Sequence, residues 1–169
     1  MQRIAQFEKV SFDEFNKSWK KLYLISDEEV KAIYDEIKLP TRATSGSAGY
    51  DFFSPLDFKL AVKENILIPT GVRVKIEQGW FLGVFPKSGL GFKYRLQVDN
   101  TVGIIDSDYY YSDNQGHIFI KMTNDNNKNL SLEINKGASF CQGIFLPFGI
   151  THDDDCQNIR NGGLGSTSR

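Results

Sequence analysis

The sequence predicts an all-β domain, a jelly roll or barrel-like sandwich, on three observations. Apolar and polar residues alternate at period two in several separate runs, Gly, Asn, Ser and Pro clusters punctuate those runs, and helical periodicity is confined to the first 38 residues. Ser11 to Leu24 places Phe12, Phe15, Trp19 and Leu22 at helical spacing, with Ser11 and Glu14 fitting a capping box. A second helix is expected from Ser26, with Glu29 as its capping partner and Val30, Ile33, Tyr34 and Ile37 as its apolar stripe. Residues 1–38 therefore read as a helical N-terminal extension that docks on the main body or on a neighbouring subunit.

From Leu39 the period changes. Val72, Val74 and Ile76 alternate with Arg73, Lys75 and Glu77, so Gly71 to Glu77 reads as a half-buried strand. Trp80 to Phe85 reads as a more buried strand ending at Pro86. Ile118, Ile120 and Met122 alternate again, as do Leu130, Leu132 and Ile134, and Ala138 to Phe148 is a long apolar strand region. Turns are expected at Ser45–Gly46, Pro69–Gly71, Asn124–Asn129 and Asn135–Gly137. Residues 39–150 form the expected β domain, and 151–169, ending N-G-G-L-G-S-T-S-R, read as a flexible Gly/Ser-rich C-terminal arm.

A net charge of −1 offers no basic surface for a nucleic-acid polymer, although a nucleotide can still be held by backbone amides and a few local cations. Cys141 and Cys156 are too few for a disulfide framework or a zinc site, and Cys141, inside an apolar run, reads as a buried core thiol. No apolar run reaches membrane-spanning length and no signal-peptide core is present at the N-terminus. The expected location is the cytoplasm.

The stretch Val98 to Tyr111, V-D-N-T-V-G-I-I-D-S-D-Y-Y-Y, carries the chemistry. Gly103 lets a backbone approach a flat ligand closely. Asp106 closes an apolar run, where a rigidly held and partly desolvated carboxylate suits a general base acting on water. Four other stretches accompany it: Ser47-Ala48-Gly49-Tyr50-Asp51, Pro86-Lys87-Ser88-Gly89-Leu90, Gly137-Ala138-Ser139-Phe140-Cys141-Gln142, and Gly162-Gly163-Leu164-Gly165-Ser166-Thr167.

In order and type these five stretches resemble the five motifs of the trimeric dUTPases, over about Leu39 to Thr167. The resemblance implies hydrolysis of dUTP to dUMP and pyrophosphate, with water attacking the α-phosphorus. It makes Asp106 the base, and Tyr109 the ring that packs on the deoxyribose and leaves no room for a 2′-hydroxyl. It has the backbone of Gly103, Ile104 and Ile105 read uracil, with the Asn100 side chain nearby and Phe119 in the substrate-contacting set. Lys87, Ser88 and Gly89 would reach the phosphates, and Gln142 would contact phosphate and position the water. Asp51 would lie near a hydrated Mg²⁺ that the triphosphate itself ligates. Arg160, Leu164, Gly165, Ser166 and Thr167 belong to the arm that would close over the substrate. The resemblance further implies a homotrimer with shared sites: one subunit gives the first, second and fourth motifs, the next the third, and the last the arm.

Three positions depart from the family pattern. Lys87 stands for the usual Arg and gives up its bidentate fork. Leu164 stands for a phenylalanine that stacks on uracil. Arg160 sits one residue closer to the Gly pair than the family's arginine. Tyr110 to Gln115 lengthens the segment after Asp-Tyr, and with the N-terminal extension it is similar to dUTPases of Gram-positive bacteria and their phages. Either addition could serve a regulatory protein partner. The competing readings are a dCTP deaminase or bifunctional enzyme, a dUTP-sensing binding protein, and a purely structural jelly-roll module. Deamination would need a third-motif glutamate, where this chain has I-D-S-D-Y.

Overall fold

Val72, Val74 and Ile76 are all buried while Lys75 between them is exposed, so the period-two reading of this run holds in three dimensions. The structure, a computed structural model, describes residues 1–162. Along the chain come β1 (Ala5–Lys9), α1 (Phe12–Lys20), α2 (Asp27–Asp35), β2 (Thr41–Arg42), β3 (Tyr50–Phe53), β4 (Phe58–Leu60), β5 (Asn65–Pro69) and β6 (Val72–Ile76). There follow β7 (Trp80–Pro86), α3 (Ser88–Tyr94), β8 (Leu96–Val98), β9 (Gly103–Ile105), a 3-10 turn at Ser107–Tyr111, β10 (Phe119–Asn124), β11 (Leu132–Ile134) and β12 (Ser139–Pro147).

The strands assort into an antiparallel five-stranded sheet, β2-β3-β12-β7-β9, a three-stranded sheet, β5-β10-β8, and the pairs β11-β4 and β1-β6. This is a β architecture of the jelly-roll kind. Strand β12 is its spine, pairing with β7 from Cys141↔Pro86 to Pro147↔Trp80 and with β3 through Gln142↔Asp51. The core includes the fully buried Ile68, Leu82, Ile118, Met122, Phe140 and Cys141. Burial of apolar side chains on this scale is the main force holding the sheets together, and it pushes the Cys141 thiol pKa well up.

The N-terminal segment is not wholly helical. It opens with β1, which pairs with β6 and sends Phe7 among Tyr50, Phe52 and Phe145 at ring distances of 5.3, 5.8 and 5.7 Å. One large apolar residue in A-Q-F-E-K is too weak a signal for a strand; pairing with β6 supplies the rest. The two helices follow where expected, and Val10, Phe15, Trp19 and Val30 form a second buried cluster. Ile37 and Leu56 pack against both this cluster and the main core, which joins them. Ser26 and Glu29 make a complete capping box. At Ser11 only half of the expected box forms: Ser11 accepts from the Glu14 amide, but the Glu14 carboxylate accepts from Ser18 instead. Leu22 of the expected stripe lies beyond α1 and is exposed.

Past the strand end expected at Pro86, the second motif forms an element that the sequence does not predict. Ser88–Tyr94 is a short helix, closed by Arg95 in the left-handed region at φ 48°. Two glycines in seven residues lower helix propensity enough to hide it. No helix among the described residues is long and apolar enough to cross a membrane.

Candidate active site

Between β8 and β9 the chain leaves the three-stranded sheet and enters the five-stranded one. Thr101 makes the crossing at φ 68°, with its amide donating to Val98 O at 2.8 Å and the Val102 amide to Asn100 O at 2.7 Å. Both strands end their sheets, so each leaves one row of backbone N–H and C=O groups without a strand partner. A cleft of about 580 Å³ lies here, lined by Asn100, Gly103, Ile104, Ile105, Asp106, Tyr109, Phe119 and Arg160 among others. Eight residues named from the sequence thus come together in one cavity. A Cβ at Gly103 would stand 3.2 Å from Val84 Cβ on β7, so close strand pairing also favours glycine there. Ile104 is 52 % exposed, so core packing does not explain it.

Asp106 precedes the 3-10 turn and is less desolvated than the apolar run before it suggests, with its side chain 42 % exposed. It is held by charge. Arg160 salt-bridges Asp106 through Nη2 and Asp108 through Nε at 2.9 Å, and its guanidinium lies 5.8 Å from the centre of the Tyr109 ring. Tyr109 is buried. Its hydroxyl donates to His117 O at 2.8 Å and accepts from Asn114 Nδ2 at 2.8 Å, and burial raises its pKa.

The first, second and fourth motifs meet elsewhere on the same sheet. Lys87 Nζ donates to Asp51 Oδ2 at 2.9 Å and to Ser139 Oγ at 2.8 Å, linking β3, the start of α3 and β12. Gln142 Nε2 donates to Pro86 O at 3.1 Å, so the amide of this half-buried residue is fixed against the second motif. Ser88 and Gly89 open α3, where first-turn amides have no helical acceptor and the surface is free of obstruction at Gly89. Lys87, Ser88, Gly89, Asp51 and Gln142 therefore form one polar group, separate from the cleft.

The separation can be read from the register. Ile105 lies opposite Leu82, and Leu82 opposite Phe145, whereas Gln142 lies opposite Phe85. The two groups are about 10 Å apart along the strands and two strand spacings, each about 4.8 Å, across the sheet. Leu164, Gly165, Ser166 and Thr167 of the fifth motif lie outside the described residues.

A family model described as dUTPase matches residues 35–168. The chain belongs to the dUTPase family. It is 39% identical over 134 residues to a deoxyuridine 5′-triphosphate nucleotidohydrolase of Lactococcus lactis, covering 78% of this chain and 88% of that one. An Escherichia coli protein of the same name is 37% identical over 142 residues, covering 79% and 89%. Among solved structures, dUTPase from Streptococcus mutans superposes with a TM-score of 0.60 at 35% identity, over 69% of this chain and 91% of that one. The dUTPase of Staphylococcus bacteriophage 80alpha gives 0.64 at 20% identity, over 99% and 96%, a likeness of fold that takes in the N-terminal segment.

In this dUTPase the sequence missed His117, which stands behind Tyr109. Its ring is fully buried; Nε2 accepts from the Gly71 amide at 2.8 Å and Nδ1 faces Ser18 Oγ at 3.2 Å. Because Nε2 accepts, the proton sits on Nδ1, and burial depresses the pKa to about 3, so the ring is neutral. Beside Gly116 and two residues before β10 begins, His117 gives no periodic signal. Among the described residues no group of three or more His, Cys, Asp and Glu side chains could hold a metal ion, and Asp51 is already paired with Lys87. That donor set does not fit an ion caged by protein alone, whereas an ion carried in by a triphosphate would need no such cage, and Asp51 would reach it through water.

Proposed function

We propose that this protein is a dUTP diphosphatase, hydrolysing dUTP to dUMP and pyrophosphate, with Asp106 as the base. The observation that carries this reading is the placement of Asp106 and Tyr109 together at the cleft beside the unpaired edges of β8 and β9. A flat pyrimidine entering there meets backbone donors and acceptors at fixed spacing, which suits uracil without any charged side chain. The Tyr109 ring, held at its hydroxyl from two sides, closes the space beside the sugar against a 2′-hydroxyl.

The attacking water forms a bond to the α-phosphorus as the bridge to the β-phosphate breaks, and its proton passes to Asp106. Lys87, Ser88 and Gly89 bind the phosphate chain and Gln142 orients the water. Magnesium on the triphosphate would neutralise charge on the departing pyrophosphate. Arg160 pairs with Asp106 and leaves it for the phosphates when substrate enters.

Within one chain the base and the phosphate group stand too far apart to act on one α-phosphorus. A homotrimer, in which Asp106 of one subunit faces Lys87 and Gln142 of the next, brings them together. The two additions to the fold also touch, Gln115 bonding Ser11 at 2.9 Å, so a regulatory protein partner would meet one continuous surface there. Turnover in oxygen-18 water tests the mechanism. Label in dUMP is the expected result; label in pyrophosphate would move attack to the β-phosphorus and remove Asp106 from the role.

A further inference from the structure

Helix α1 reaches the sugar gate through an unbroken polar chain. The Tyr109 hydroxyl donates to the backbone carbonyl of His117. The His117 ring donates from Nδ1 to Ser18 Oγ, and Ser18 donates to Glu14 Oε1 at 3.1 Å, with Ser18 and Glu14 both buried. No side chain in this chain of contacts is left without a partner. The ring is also clasped between Phe15 of α1, at 6.1 Å, and Phe119 of the cleft wall, at 4.6 Å. Gly71, whose amide fixes Nε2, lies so close to the arm that a Cβ would come within 2.3 Å of Ile37 Cδ1.

A second tether runs over the surface. Gln115 Oε1 accepts from the Ser11 amide and Gln115 Nε2 donates to Ser11 Oγ, both at 2.9 Å. Beside it Tyr110 donates to Glu8 Oε2 at 2.8 Å while Arg73 pairs with the same oxygen. These contacts hold both ends of the lengthened segment that follows Tyr109. A longer loop has more conformations available to it, so its aromatic gate needs an external anchor.

We infer that α1 and its approach are a positioning element for sugar discrimination: Ser18, through His117, and Ser11, through Gln115, hold Tyr109 where its ring excludes a ribonucleotide. This rests on the reading of Tyr109 as the gate. A loosened gate should admit UTP while leaving dUTP, which needs no exclusion, nearly unaffected. A defect in folding alone would lower both substrates together.

The test is the ratio of kcat/KM for UTP to that for dUTP, in full-length Ser18→Ala, Gln115→Ala and the double variant, beside Tyr109→Ala. The ratio should rise about three- to tenfold in the arm variants, the worth of a lost hydrogen bond, and further in Tyr109→Ala. A ratio raised by Tyr109→Ala but unchanged in the arm variants overturns the positioning role alone. A ratio unchanged in Tyr109→Ala overturns the gate and with it the anchor. Should the buried Ser18→Ala not fold, Gln115→Ala on the surface decides.

Discussion

Gly49 lies so close to Gln142 that a Cβ added to the glycine would stand 2.4 Å from Oε1 of the side-chain amide. The first motif thus presses directly on the fourth, and the missing side chain of one sets the position of the other. Gln142 in turn reaches Pro86 O, so three of the five motifs are linked by one amide.

Gly49→Ala tests this link. The obstructed atom is the tip of a flexible side chain, so the sheet has little reason to unfold, and the melting temperature should fall by only about 2–4 °C. The amide must swing off Pro86, and kcat for dUTP should fall about tenfold with it. Unchanged turnover would mean that the fixed position of Gln142 is irrelevant to the reaction.

His117 makes stability depend on pH. Its folded pKa is depressed to about 3 from 6.5 by burial, so the unfolded chain binds a proton that the folded chain refuses. The stability this gives is present above pH 6.5 and is lost as pH falls toward 3, at about 1.4 kcal/mol per pH unit below 6.5. Chemical unfolding between pH 7.5 and 5 should show that slope, and His117→Gln should flatten it. An equal slope in His117→Gln would contradict the assignment.

The proposed sharing of sites between subunits predicts complementation. Asp106→Asn and Gln142→Ala should each be nearly inactive, yet subunits mixed by unfolding and refolding at equal amounts should recover about one quarter of the wild-type sites. The quarter follows because an intact third motif meets an intact fourth motif in half of one half of the pairings. A mixture as inactive as its components would place the whole site within one subunit.

Strands β6, β7, β10, β11 and β12 and both helices of the N-terminal segment were legible from local signals, and eight lining residues of the cleft from the family resemblance. Period two marked β6 and β10, capping residues marked α2, and motif order marked Asp106 and Tyr109. What stayed hidden depends on partners distant in sequence. Strand β1 exists because β6 offers it an edge, 63 residues later at Lys9↔Val72. His117 matters because Ser18, 99 residues earlier, and Gly71 meet its ring. The pairing of Arg160 with Asp106 joins residues 54 apart and leaves no trace in either local pattern. The resemblance assigns the third motif to a different subunit from the second and fourth, but the distance between Asp106 and Gln142 within one chain is carried by strand register and by no local pattern.

The most direct measurement is pyrophosphate release with Mg²⁺ from dUTP, UTP, dTTP and dCTP, for the wild type and Asp106→Asn. Release should be rapid from dUTP alone, and about a hundredfold or more slower in Asp106→Asn, the loss expected when a general base is removed. Ammonia from dCTP, or undiminished dUTP turnover in Asp106→Asn, would contradict the account at its centre.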